Sequence, residues 1–183
     1  IKSFGKYENH HFSIMEYIPY TLEDILNKTN DETIKTNLFR QCFKLIQTLH
    51  KHDIIHRDIK TDNFMIDTNG DVCVIDMGLA CVYSPDQKQL KNVIGTLLFS
   101  SFHTHQKMYK YEKKDDIISL FYIIFYLLTN KDLPWNNIYI KDKETKNIVY
   151  YHLKKETDYK EYYKKYKNKY LNKWIETFKQ TIH

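Results

Sequence analysis

The strongest constraint on this chain is the segment HRDIKTDNFMIDTNGDVCVIDMG, residues 56–78, which places charged and amide side chains around a predicted β-hairpin. Short apolar runs lie on both sides of Asn69-Gly70, a dipeptide that is typical of hairpin turns. A hairpin brings its two ends together. Asn63, before the first strand, and Asp76, after the second, are therefore predicted to face one site.

The side chains of this segment match what phosphoryl transfer from a nucleotide requires. A carboxylate must accept the proton of the attacking hydroxyl, and a cation must offset charge on the transferred group. Carboxylate and amide oxygens must hold Mg²⁺ against the phosphates. Asp58, Lys60, Asn63 and Asp76 supply these four parts.

The spacing H-R-D-x-K-x-x-N, followed by D-x-G thirteen residues after Asn63, resembles the catalytic loop and metal-binding motif of protein kinases. The resemblance implies that Asp58 is the catalytic base and that Asn63 and Asp76 bind Mg²⁺. It also implies that Lys60, the serine/threonine-kinase form of this position, contacts the transferred phosphate. The implied cofactors are ATP and Mg²⁺, and the implied partner is a protein substrate with Ser or Thr.

Three further segments resemble the casein-kinase-I and vaccinia-related-kinase group. FSIMEYIPYTLEDIL (12–26) is similar to its hinge, and GTLLFSSFHTH (95–105) to its substitute for the usual Ala-Pro-Glu segment. KKDDIISLFYIIFYLLTNKDLPW (113–135) is similar to its long buried helix and the Leu-Pro-Trp that follows. The likeness covers residues 5–135 well and the remainder loosely.

This resemblance implies a set of nucleotide-binding residues. Met15 would be the gatekeeper beside adenine, and backbone groups of Glu16 and Ile18 would form hydrogen bonds to the base. Met65 and Ile75 would form the apolar floor under it.

Other residues receive roles from the same resemblance. Thr96 would lie near Asp58 and brace the substrate hydroxyl, and Asp116 would hold the backbone of the catalytic loop. Thr21 and Asp24 either approach the ribose or begin a helix, and the sequence leaves both alternatives open.

The predicted fold class is mainly α with a small β-hairpin: a protein-kinase-like large lobe plus the hinge and last strands of the small lobe. Residues 1–18 are predicted to end the small-lobe sheet and form the hinge, and residues 19–183 to form a large lobe that is incomplete at its C-terminus. No glycine-rich loop or strand lysine precedes the hinge in these residues. The missing small lobe of the same protein is therefore an expected partner, and the isolated fragment is expected to be inactive.

The hydrophobic pattern predicts the individual elements. They are a strand at 11–18, a helix at 21–28, a helix to about His52 that begins with a Thr29/Glu32 capping box, strands at 64–67 and 72–75, a helix from Asp115 or Asp116, and a helix marked by Tyr159, Tyr163, Tyr166 and Tyr170. The apolar run at 117–128 is too short to cross a bilayer, which takes about 20 residues. It is predicted to be a buried core helix, with no membrane partner.

Several alternatives remain open. The kinase fold could serve only as a docking module, as in a pseudokinase. Loss of Asp58, Asn63 or Asp76 would favour that alternative, and all three residues are present. Residues 154–173 contain eight lysines and several tyrosines, a composition that can bind nucleic acid. We favour instead a half-buried helix with a solvated lysine face, so nucleic acid is not an expected partner.

The histidines and cysteines receive structural interpretations. His103 and His105 could ligate a metal, but a loop contact is favoured because no third ligand is suggested. The three cysteines form no CxxC pair, which favours a reducing, intracellular location in cytoplasm or nucleus.

Overall fold

The computed structural model describes residues 2–182 of the chain. The α-helices are α1 (Leu22–Lys28), α2 (Glu32–Lys51), α3 (Lys113–Leu128), α4 (Lys143–Glu156), α5 (Tyr159–Tyr163) and α6 (Lys169–Ile182). The strands are β1 (Ser3–Tyr7), β2 (His10–Ile14), β3 (Tyr20–Thr21), β4 (Ile54–Ile55), β5 (Phe64–Ile66), β6 (Val72–Val74) and β7 (Cys81–Val82). Helices thus dominate, and the strands form small separate sheets, which confirms the predicted fold class.

The predicted hairpin is present as β5 and β6, which pair antiparallel, while β3 pairs with the other edge of β5. Asp67 stabilises the turn, because its carboxylate accepts hydrogen bonds from the backbone N–H groups of Asn69, at 2.8 Å, and Asp71, at 2.9 Å. Gly70 adopts φ +84°, a left-handed conformation that glycine permits at little cost. This geometry brings the segments before β5 and after β6 to the same end of the hairpin.

Helix α3 is the centre of the hydrophobic core. Its residues 120–125 are buried on every face, and α2 and α6 pack against it. The prediction of a buried core helix is therefore confirmed. The helix begins at Lys113, slightly earlier than predicted, because Glu112 and Asp115 form a capping box in which the Glu112 N–H donates to Asp115 at 2.8 Å.

Two predicted boundaries are wrong. Helix α2 is capped by Asp31 and not by Thr29: the Asp31 carboxylate accepts from the N–H of Thr33 at 2.7 Å, and the Thr29 hydroxyl accepts from Asp31. The strand predicted at 11–18 ends at Ile14. Residues 15–19 are neither helix nor strand, because the chain leaves the β1–β2 sheet there and pairs with β5 from Tyr20.

The C-terminal part departs most from prediction. Helix α4 was not predicted, since its inward positions include a lysine, Lys154. The helix predicted through the four tyrosines is also interrupted: α5 ends at Tyr163, and Lys167 adopts φ +47°, a left-handed conformation that ends helical structure before α6 begins.

Within residues 2–182, no helix combines the length and the apolar character needed to cross a membrane.

Candidate active site

Asp58 lies at the centre of the predicted site, and its side chain is held on both oxygens. Oδ1 accepts hydrogen bonds from the backbone N–H of Thr96 at 2.8 Å and from its hydroxyl at 2.7 Å. Oδ2 lies 3.0 Å from the ammonium of Lys60. The residue is only 7% exposed, so the orientation of this carboxylate is closely defined.

These contacts keep Asp58 ionised. Burial alone raises the pKa of this carboxyl, but the hydrogen bonds from Thr96 and Lys60 oppose burial and leave the pKa below its ordinary value. The hydrogen bond to Asp58 in turn raises the pKa of Lys60. At neutral pH the site therefore contains a carboxylate next to an ammonium, one able to accept a proton and the other able to offset negative charge.

Asn63 lies under Asp58 in the loop that leads into β5. Its amide nitrogen donates to the backbone carbonyl of Asp58 at 2.8 Å, which leaves the amide oxygen as its acceptor group. Its backbone carbonyl accepts from the N–H of Ile75 at 2.9 Å. This second bond ties the loop to the segment after β6, immediately before Asp76.

Asp76 occupies a strained position at the end of that segment. Its backbone is left-handed, with φ +61°, and its Oδ1 accepts from the N–H of Gly78 at 3.2 Å. Among residues 2–182 the other carboxylate oxygen accepts no hydrogen bond, and the residue is exposed to solvent. Asn63 and Asp76 thus present one amide and one carboxylate oxygen from adjoining segments.

His56 supports the loop from inside. Its Nδ1 accepts from the N–H of Asp58 at 3.3 Å, so its Nε2, 3.1 Å from the Ile75 carbonyl, must carry the proton and donate. The side chain is fully buried. With both nitrogens occupied, His56 has a structural role.

The Asp116 carboxylate, at the start of α3, accepts hydrogen bonds from the backbone of the loop that carries Asp58, which confirms its predicted position. Its carboxylate oxygens receive the N–H groups of His56 at 2.8 Å and Arg57 at 3.0 Å. His50 from α2 approaches the same carboxylate at 3.0 Å, a contact that the sequence did not suggest. Arg57 needs this support because its φ is +67°.

Gly95 lies beside Asp58, a position that was not predicted from the sequence. Its φ is +81°, and a Cβ at this position would lie 2.3 Å from the backbone oxygen of Arg57 and 3.0 Å from Oδ1 of Asp58. Only glycine fits this close approach. The adjacent Thr96 thereby reaches the Asp58 carboxylate. The sequence signal for this approach was the Gly95-Thr96 pair itself.

The residues predicted to bind the nucleotide lie on the hairpin and in the connection after β2. Met65 is half-buried on β5, opposite Cys73 on β6, and Ile75 is 36% exposed. Met15 is 63% exposed in the connection after β2, and Glu16 in the same connection is exposed as well. Burial is the largest cause of the raised pKa of the Cys73 thiol, and the negative charges of Asp67 and Glu16 add to it.

Ile18 is half-buried at the end of this connection. Beyond it, Thr21 and Asp24 form a capping box at the start of α1: the Thr21 side chain accepts from the Asp24 N–H at 3.0 Å, and Asp24 accepts from the Thr21 N–H at 2.9 Å. Of the two alternatives for this pair, the structure supports the helix N-terminus.

His103 and His105 make loop contacts. Nδ1 of His103 lies 3.2 Å from the Ser101 hydroxyl, and Nε2 of His105 lies 3.0 Å from the Ser100 hydroxyl. In the part of the chain that the structure describes, no cluster of three or more His, Cys, Asp or Glu side chains could hold a metal ion.

A buried carboxylate held beside a lysine, with amide and carboxylate oxygens adjoining it on a helical lobe, is the arrangement typical of the protein kinase fold. The chain belongs to the protein kinase domain family, whose sequence pattern matches residues 1–181. Within that family its fold is of the casein kinase I type.

Relatives with curated descriptions support this placement. Casein kinase I homolog RAG8 of Kluyveromyces lactis is 33% identical over 159 residues, which are 78% of this chain and 29% of the relative. Casein kinase I homologs 1 and 2 of Saccharomyces cerevisiae are each 31% identical over 158 residues, with the same coverage. The chain therefore spans 29% of the length of these relatives.

One solved structure supports the fold alone. A chain from the crystal structure of the yeast RNA Pol II CTD kinase CTDK-1 complex aligns with a TM-score of 0.66 at 22% identity. The alignment covers 81% of this chain and 48% of that chain.

Proposed function

We propose that the full-length protein is a serine/threonine protein kinase of the casein kinase I type, which transfers the γ-phosphoryl group of ATP to a protein hydroxyl. The observation that carries this proposal is the Asp58 carboxylate, held by Thr96 at 2.7 Å and Lys60 at 3.0 Å, with Asn63 bonded to its backbone. In this proposal residues 1–18 belong to the small-lobe sheet and hinge, and residues 19–183 to the large lobe.

Asp58 would act as the general base toward the substrate hydroxyl. It is ionised at neutral pH, and its geometry is set before any substrate arrives, which is the preorganisation that proton transfer needs. Lys60 is partly exposed beside it, so its ammonium can meet a phosphoryl group that approaches from solvent. Thr96 keeps the base oriented and would brace the substrate hydroxyl.

Asn63 and Asp76 fit a Mg²⁺ site by their chemistry. The amide nitrogen of Asn63 is occupied by the Asp58 carbonyl, so the side chain can only present its oxygen to a cation. Asp76 presents its second carboxylate oxygen, and Mg²⁺ prefers such oxygen ligands together with nucleotide phosphates. The ion would neutralise charge on the phosphates as the phosphoryl group leaves.

The adenine site would be formed by Met15, Glu16 and Ile18 on one side and by Met65 and Ile75 on the other. Residues 15–19 form no regular structure, so their backbone groups can serve a ligand. The half-buried Met65 and the exposed Ile75 offer apolar surface for a planar base.

The packing of residues 154–173, the segment rich in lysine and tyrosine, does not support nucleic-acid binding. Tyr159 and Tyr163 are buried against Phe125 of α3, at ring-centroid distances of 5.6 and 5.5 Å. The Tyr166 hydroxyl donates to Asp132 at 2.6 Å. These rings are thus engaged within the protein, and they cannot stack on bases without unpacking the core.

The test is a phosphorylation assay of the full-length protein with Mg-ATP and an acceptor protein, in which D58N is compared with wild type. D58N should keep its affinity for ATP and lose turnover by roughly 10²–10⁴-fold, the size of general-base catalysis. D62N is the matched control, because Asp62 is an exposed carboxylate in the same loop. Turnover of D58N equal to that of D62N would refute the proposal.

A further inference from the structure

Lys154 on α4 is a fully buried lysine, only 1% exposed. Its ammonium forms no ion pair among the contacts of residues 2–182; instead it donates to the backbone carbonyls of Leu97 at 2.7 Å and Ser100 at 2.6 Å. A buried ammonium without a carboxylate is costly to maintain, so its contacts need an explanation.

The third acceptor of Lys154 is His105. Burial, with a smaller effect from the charge of Lys154, lowers the pKa of His105 to about 3, so the imidazole is neutral. Its Nε2, 3.1 Å from Nζ, can then accept a hydrogen bond. Burial lowers the pKa of Lys154 as well, but three acceptors around one nitrogen match the three N–H groups of an ammonium.

Aromatic rings complete the surroundings of this ammonium. Nζ lies 5.4 Å from the ring centre of Tyr122, 5.3 Å from that of Trp135 and 5.2 Å from that of Tyr150. Ring faces attract a cation, most strongly when water is excluded. The rings belong to α3, to the loop after α3 and to α4, so Lys154 joins three parts of the core.

The carbonyls that Lys154 binds belong to the turn of residues 96–100. Within this turn the Thr96 carbonyl accepts from the N–H groups of Phe99 at 3.1 Å and Ser100 at 3.0 Å. The Leu98 carbonyl accepts from the indole of Trp135 at 2.8 Å. These three hydrogen bonds and the two from Lys154 fix the turn, and Thr96 at its start holds Asp58.

We propose that Lys154 is a positioning residue, which holds the turn of residues 96–100 so that Thr96 stays in hydrogen-bond contact with Asp58. The inference rests on the proposed kinase function. Lys154 touches no reacting group, and it acts on the base through the turn and Thr96.

The test is a double-mutant cycle in the full-length protein, with K154M, T96V and the double variant. K154M should lower kcat by roughly tenfold and leave the KM for ATP within about twofold, because the nucleotide contacts are elsewhere. In the T96V background the same change should lower kcat by less than about threefold, since coupled residues give non-additive losses. K155M is the control, because Lys155 is the exposed neighbour on α4, and it should behave as wild type.

The circular dichroism spectrum of K154M determines whether this variant is used in the double-mutant cycle. If K154M loses wild-type helicity, H105F replaces it, because this change removes one acceptor of the ammonium and keeps a ring in its place. An equal loss of kcat in both backgrounds, or no loss in either, would overturn the inference. The D58N variant distinguishes a failure of this inference from a failure of the proposed kinase function. If D58N abolishes turnover but the effects of K154M and T96V are additive, the kinase function stands and only the role of Lys154 is refuted.

Discussion

Thr96 binds one oxygen of Asp58 twice, through its backbone N–H at 2.8 Å and its hydroxyl at 2.7 Å. The two residues are 38 positions apart in sequence. Two donors on a single oxygen fix the plane of the carboxylate and leave the second oxygen to Lys60. The loop that carries the base is thus joined to the segment after Gly95.

The first prediction is that T96V slows turnover without displacing the Asp58 side chain from the site. The backbone bond remains and the hydroxyl bond is lost, so kcat should fall by roughly tenfold, the cost of one hydrogen bond to a charged group. The folded-state pKa of Asp58 is lowered partly by this hydroxyl, so its removal raises the pKa. The acid limb of the kcat/KM profile should therefore move to higher pH.

Steady-state kinetics across the acid range measures this shift. T177V is the matched control, because Thr177 is an exposed threonine on α6 whose hydroxyl donates to the carbonyl of Lys173 at 3.0 Å. An acid limb that stays in place in T96V would show that the hydroxyl does not tune Asp58.

A second prediction concerns Asp76. D76N should weaken nucleotide binding in the presence of Mg²⁺ and leave Mg²⁺-free binding nearly unchanged, because the carboxylate charge serves the cation and not adenine. Titration calorimetry with ATP, with and without Mg²⁺, gives both affinities. D71N, an exposed change on the same hairpin, is the control. Equal losses under both conditions would contradict metal binding by Asp76.

That Asp58, Asn63 and Asp76 come together could be predicted because their spacing is local. Asp58, Asn63 and Asp76 lie within one loop and one hairpin, and turn chemistry at Asn69-Gly70 determines how these meet. The burial of α3 could also be predicted from its long apolar run, since a helix that is apolar on all sides must be buried.

The remaining features depend on distant contacts. Helix α4 escaped prediction because Lys154 counts as polar in a hydrophobic pattern, while its actual partners are carbonyls more than 50 positions away. Lys167 interrupts the tyrosine helix through a left-handed backbone that nothing in its own side chain demands. In both places tertiary packing outweighs the local pattern.

The third prediction separates backbone strain from a steric clash by comparing two glycines. Gly95 and Gly70 have similar φ, +81° and +84°, but a Cβ at Gly70 would meet nothing within 4 Å. G70A should lower the free energy of unfolding by about 1 kcal/mol, the cost of left-handed backbone for alanine. G95A should lower it further, because its Cβ would meet the Arg57 carbonyl.

Chemical denaturation of both variants gives the difference in free energy. G95A should also lose turnover, since the clash displaces the loop that carries Asp58, whereas G70A should keep it. Equal destabilisation by the two changes would mean that the 95–96 segment can move away from the catalytic loop without cost.

The last prediction concerns residues 1–183 by themselves. They contain the base, the proposed Mg²⁺ ligands and the connection at 15–19, but Gly5 is the only glycine before Gly70, so no glycine-rich loop can cover the phosphates. Phosphoryl transfer depends almost wholly on positioning and electrostatic stabilisation. A γ-phosphate that is open to water on one side should therefore not be transferred at a measurable rate.

Exposed apolar side chains give the same fragment a second expected property. Phe4 is 83% exposed and Tyr17 is 84% exposed, and Met15 and Ile14 lie between them in sequence with more than half of their surface in water. Exposed apolar side chains of this size favour self-association. Size-exclusion chromatography should therefore find oligomers, and a monomer fraction should be isolated for the assay. Turnover of that fraction above the same chain carrying D58N would show that the large-lobe residues position ATP without a covering loop.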